Sequence, residues 1–386
     1  MFNSTNLYKY LYIYIIFFIF LYVLYCLLIP LNFYPDYSII KERYTLLTSE
    51  VLLSPQGIIF IISNFFMNEN YLFNLNLISR EMFSLITLIF IFTLVNYIHL
   101  LNNTLNLKFE KINLIFFFLT LSSPSCLFGI TAFSPEASFT VLSCLFIIYN
   151  DFKYDFKNKF LLLFILFIYG FFIDRGNFWV LFFFISGGNF LFIIRRQTSL
   201  NFFVILVSLL CGFFLIWGKA FLLKIGMLID DEKIKGLFYN IDQLGLGDLS
   251  YFDIAMRYTY FWLSVLTLPI PDKKYFISLS SFIIYFFLLF SFYRKYREDL
   301  NIRIKLKENF LKQENQVILL WLFLFPLMMI IIFPTHAYGK YLFCFSYFII
   351  RTIHFFLGIK KCLLFTFCIS FVPLLEFVIK KYSFNL

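Results

Sequence analysis

A few ionisable side chains interrupt long runs of Phe, Leu and Ile, and they are the residues able to do chemistry. They are Asp36 in Tyr34-Pro35-Asp36-Tyr37, Glu136 in Phe133-Ser134-Pro135-Glu136-Ala137, the pair Asp174-Arg175, Arg257 with Tyr258, and His336 with Lys340 in Pro334-Thr335-His336-Ala337-Tyr338-Gly339-Lys340. An ionisable group beside hydrocarbon costs roughly 3 kcal/mol or more unless it is paired or faces water. A carboxylate can act as general base toward a hydroxyl, while Arg, Lys and His can hold a phosphate and stabilise charge developing on a leaving group. Asp36 and Glu136 are the candidate bases. Asp174, Arg175, Arg257, Tyr258, His336 and Lys340 are the candidate substrate- and lipid-phosphate-binding residues. No metal ligands are assigned, no cofactor is called for, and a divalent cation is the one addition left open.

Each position also has a plainer reading. Asp36 can terminate a helix in a solvated loop, and Glu136, just after Pro135, can serve the unpaired N–H groups of a helix start. Asp174-Arg175 can be a local ion pair in a tight turn. His336, Lys340 and Arg257 can be interface cations reaching toward headgroups, and tyrosines are common at such interfaces. Glycine-rich phosphate loops, dinucleotide fingerprints and His-Glu-x-x-His sites are absent from the sequence. Gly187-Gly188 sits inside an apolar run and reads as a close helix contact.

The elements that must position these groups are apolar. Of 386 residues, 61% are hydrophobic and 14% charged, with 61 phenylalanines, where soluble domains carry about a quarter charged residues. Runs at 11–31, 79–101, 112–130, 134–149, 160–173, 176–194, 200–217, 275–293, 317–334, 341–358 and 362–379 approach the length of a bilayer crossing. The pattern predicts an all-α, polytopic membrane protein forming a single transmembrane domain over 1–386, with about 11 transmembrane helices. Segments 51–66 and 257–270 are short and interrupted, and are expected to be interfacial or re-entrant on the outer side. The first run is too long for a cleavable signal and is expected to stay as a span. The seven cysteines show no metal or disulfide spacing.

Basic clusters set the expected orientation. Lys108 and Lys111, Lys153 to Lys159, Arg195-Arg196 and the strongly basic 294–316 segment all fall on one side if each run crosses. The positive-inside effect makes that side cytoplasmic, with 294–316 as a basic cytoplasmic loop and the N-terminus inside. Segments 32–78 and 218–274 then become external loops, and the ionisable residues gather at the outer face. The net charge of +10 follows from the basic clusters beside apolar runs, so nucleic acid is not an expected partner.

With Asp36 after the first span, an interfacial segment at 51–66 and charged residues in later external loops, the layout resembles the membrane-embedded glycosyltransferases of the GT-C type. It resembles, more loosely, the O-antigen or capsule polysaccharide polymerases, with 218–274 as the large late loop and Arg257 as its cation. The resemblance implies a transferase that takes sugar from a polyprenyl-phosphate or polyprenyl-diphosphate carrier to a glycan acceptor, among membrane lipids at the outer face of a bacterial cytoplasmic membrane. It covers the layout of about the first 200 residues and one late loop. The sequence departs from the pattern in having Pro-Asp-Tyr where a paired-acid motif would stand, and no soluble C-terminal domain. A flippase for lipid-linked sugar and an inert membrane subunit are the readings from other classes.

Overall fold

The computed structural model describes residues 4–29, 111–131, 175–213, 279–332 and 343–383, together with Phe252, Ala255, Tyr258, Thr259 and Trp262. The regular structure among these residues is helical. Helix α1, Ser4–Leu28, is dominated from Tyr10 onward by Tyr, Phe, Ile and Leu and stops ahead of Pro30, whose ring disfavours helix in the residue before it. Helices α2, Lys111–Leu121, and α3, Pro124–Thr131, are separated by Ser122-Ser123. Both serine hydroxyls donate back to main-chain oxygens, Ser122 to Phe118 and Ser123 to Thr120, each at 2.7 Å. Pro124 then opens α3, where its missing N–H is harmless.

Helix α4 spans Arg175–Gln197 and ends on Arg195-Arg196, cations suited to a helix C-terminus. A short bend leads into α5, Leu200–Phe213. Helix α6, Leu279–Glu298, runs into Asp299, whose carboxylate accepts from the amides of Asn301 and Ile302 and starts α7, Leu300–Leu311. Helix α8, Gln313–Ile332, follows directly and contains Pro326. The last helical stretch is α9, Phe343–Ser383.

Helix α9 is not straight. Gly358 has φ 74° and ψ 173°, conformations unavailable to a continuing helix. Cys362 Sγ lies 3.6 Å from the Ile350 carbonyl oxygen, whereas positions twelve apart on one straight helix are separated by about 18 Å. The chain therefore turns back at Gly358, and α9 is two arms, one before and one after it.

The second arm packs parallel to α1. Tyr14 donates to the Ile359 carbonyl at 3.1 Å and Tyr25 to the Ser370 carbonyl at 3.0 Å, both with an offset of 345 positions. Helices α2 and α3 complete this group, through Ser370 Oγ on the Ser122 carbonyl and a 2.8 Å bond between the Ser125 and Ser346 hydroxyls. Helix α4 packs on α8, α6 on α9, and α7 on both α6 and α8. Aromatic rings fill the centre: Phe184 meets Phe325 at 5.0 Å and Phe345 at 5.5 Å.

These findings correct the expected architecture. Instead of about 11 crossings, one helical stretch among the described residues, Phe345–Glu376, has the length and apolarity of a crossing, and its turn at Gly358 divides it into two arms; Tyr12–Leu28 and Leu200–Phe213 are shorter apolar helices. The run 112–130 is divided by its serines, and 341–358 and 362–379 are arms of one bent stretch. The segment read as a basic loop, 294–316, is helical. The polytopic fold and the multi-pass placement in a bacterial cytoplasmic membrane are overturned on this count. The runs 79–101, 134–149 and 160–173, the segment 32–78 and most of 218–274 lie outside the described residues.

Candidate functional site

The most developed polar arrangement joins three helices at the foot of α4. Arg195 and Gln316 are both buried. Arg195 Nε donates to Gln316 Oε1 at 2.8 Å, and its Nη1 donates to the Thr198 carbonyl at 2.6 Å. Gln316 Nε2 in turn donates to the Phe310 carbonyl at 2.9 Å. Asn315 Nδ2 does the same for Asn309 at 2.7 Å, so two side chains of α8 serve carbonyls in the last turn of α7, that of Asn309 also accepting from the Lys312 N–H at 3.2 Å. The arrangement closes main-chain ends on neutral oxygens, which is a positioning task. In the sequence Arg195 stands out only as half of the basic pair Arg195-Arg196, and its pairing with Gln316, 121 positions away, has no sequence signal.

The second polar group is the set of hydroxyls between α1, α2, α3 and α9. Ser122, Ser346 and Ser370 each have a relative exposure of 0%, and the hydroxyls of Ser346 and Ser370 are satisfied across helices. His354 stands on the same side, with its ring edge-on to Phe116 at 5.0 Å.

Tyr258 is the one expected binding residue whose side chain is described. Its hydroxyl donates to the Phe323 carbonyl at 3.1 Å, and its ring meets Trp262 and Phe323. Burial pushes its phenol above the ordinary tyrosine value, opposed by the Trp262 interaction. Tyr285 donates to the Trp262 carbonyl at 2.6 Å, which ties this piece to α6 as well. Arg175 is the first residue of α4. Asp36, Glu136, Asp174, Arg257, His336 and Lys340 lie outside the described residues. Among the described residues, no three His, Cys, Asp or Glu side chains gather as metal ligands.

No family of known proteins, no curated protein and no solved structure matches the chain. The resemblance to GT-C-type glycosyltransferases and to polysaccharide polymerases required many crossings, and one candidate among the described residues does not supply them. The transferase, polymerase and flippase readings are withdrawn with it. So are the polyprenyl-linked sugar, the glycan acceptor and the lipid shell expected around such a bundle.

Proposed function

We propose that this chain is a structural helical subunit held in a bilayer by the second arm of α9, with α1, α2, α3 and α6 packed on α9. The observation that carries this reading is an inverted distribution of polarity. Hydroxyls of Ser122, Ser346 and Ser370 are inside at 0% exposure, while along the second arm of α9 Leu364 at 60%, Leu375 at 39% and Ile379 at 63% are outside. Aqueous surroundings favour the opposite arrangement, and apolar side chains exposed on one face of the arm suit contact with an apolar phase. Small hydroxyl residues between helices suit packing where water supplies no hydrophobic drive.

The anchor has a matching length. Cys362–Ile379 measures roughly 27 Å as helix, against a hydrocarbon core of about 30 Å. Lys360-Lys361, both exposed, precede it with side chains long enough to reach headgroups, and Lys380-Lys381 follow it in the sequence. Pro373 lies within the arm, an interruption that membrane-spanning helices tolerate.

The test is extraction of cell membranes containing the full chain with alkaline carbonate, followed by detergent phase partitioning. The chain stays in the pellet and enters the detergent phase on this account. Release into the aqueous supernatant as a folded protein overturns it.

A further inference from the structure

We infer that helix α7 lies along the surface of an anionic bilayer, with its outer apolar stripe in the acyl boundary and its cations on headgroup phosphates. This rests on the anchored-subunit reading above. Leu300, Ile304 and Leu311 are exposed at 62%, 47% and 67%, and at 100° per residue they fall within about 40° of arc. Ile302, on the opposite side, is buried against the protein. The stripe therefore points away from the fold.

Arg303 and Lys307 border the stripe on one side, Lys305 and Lys312 lie round the other, and all four are exposed. Nearby, Arg294 pairs with Glu298 at 2.8 Å and Lys295 with Asp299 at 3.2 Å. Arg297, Arg303, Lys305, Lys307 and Lys312 make no ion pair among the described residues. An outward apolar stripe with surplus cations is the pattern of a helix lying in an anionic interface.

The location agrees. Phe292 stacks on Phe356 with ring centroids 4.6 Å apart, which sets the end of α6 beside the Gly358 turn of α9. Lys360 and Lys361, both exposed, begin the second arm just past that turn. The cations that lead into α7 and those that head the anchor thus stand at the same end of the bundle. Charge complementarity favours an anionic lipid surface over an uncharged one, and over a second copy bearing the same positive charge.

The full chain is reconstituted into vesicles of phosphatidylcholine alone or of phosphatidylcholine mixed with phosphatidylglycerol, and amide hydrogen exchange is read over 300–311. Exchange is expected to slow by about tenfold or more in the mixed vesicles and to recover in high salt. The combined variant Arg303→Gln, Lys305→Gln, Lys307→Gln is expected to lose the difference while exchange in α8 stays unchanged. Equal protection in both vesicle types overturns the inference while leaving the anchored subunit intact. Protection that rises with protein density in both types assigns the stripe to a second copy and also overturns it. A chain that fails to enter vesicles at all overturns the anchored reading instead.

Discussion

Cys362 Sγ and the Ile350 carbonyl oxygen, 3.6 Å apart within one helical stretch, show that Gly358 is a turning point. At φ 74° a side chain meets its own backbone even where the surroundings are open, and no heavy atom lies within 4 Å of the position a Cβ would take. Gly358→Ala is therefore expected to destabilise by about 1–2 kcal/mol through backbone strain alone. Gly358→Asn should cost about as much, because φ 74° with ψ 173° lies outside the left-handed helical region that asparagine tolerates, and Gly358→Val more. Unfolding in detergent measures the order, and an unchanged midpoint for all three would contradict the hairpin.

Gly187 presents the opposite case, where space is the constraint. A Cβ there would approach the Trp321 ring to 2.5 Å, and Trp321 Nε1 holds the Phe184 carbonyl at 2.8 Å. Gly187→Ala should lower stability by about 1–3 kcal/mol by forcing the indole out. Combining it with Trp321→Phe should cost less than the sum of the two single changes, because both act on one contact. Strict additivity in thermal melts would refute the contact.

Arg195 and Gln316 form a second long-range pair. Gln316→Ala removes the acceptor of a buried guanidinium and the donor to Phe310, so a loss of about 2–3 kcal/mol is expected. Arg195→Lys should not rescue, since an ammonium cannot direct two planar donors to Gln316 and Thr198 together. Stability of the lysine variant equal to the parent would remove the network from the account.

Asp299 gives the start of α7 a pH dependence. The Lys295 side chain hydrogen bond, with help from the Ile302 and Asn301 amides, holds its carboxyl below the ordinary carboxylate range. A lowered folded value means that the cap's contribution is present above the unfolded value and is lost as pH falls through the folded one. Exchange of the Asn301 and Ile302 amides, corrected for intrinsic rates, should therefore quicken at acid pH. Asp299→Asn should keep the cap and abolish the acid step. An acid step that survives in Asp299→Asn would assign the titration elsewhere.

Helical character was legible wherever long apolar runs lay between breakers. The run at 176–194 became α4 within a few residues, while 11–31 and 275–293 became α1 and α6 with ends displaced by up to seven and five residues. Hydropathy alone did not reveal where runs bend. Ser122-Ser123 and Gly358 redirect the chain through main-chain geometry, and a hydropathy window averages over single residues. Cationic residues misled in the other direction: 294–316 reads as loop by charge, while its spacing of Leu300, Ile304 and Leu311 is helical. Of the residues singled out for chemistry, Tyr258 is placed by a contact its type does not announce, its hydroxyl donating to the Phe323 carbonyl. The ties that organise the described helices, Arg195 to Gln316 and Tyr25 to Ser370, join positions far apart in the chain, and nothing local in the sequence pairs them.

The anchored arm is tested most directly by a lipid-soluble carbene reagent, activated with the full chain in vesicles and mapped by mass spectrometry. The account predicts labelling of the outward Leu364, Leu375 and Ile379, and protection of the inward Cys362, Ile369 and Leu374. An arm from 359 to 383 that takes up no label, with the chain intact and vesicle-bound, would contradict it.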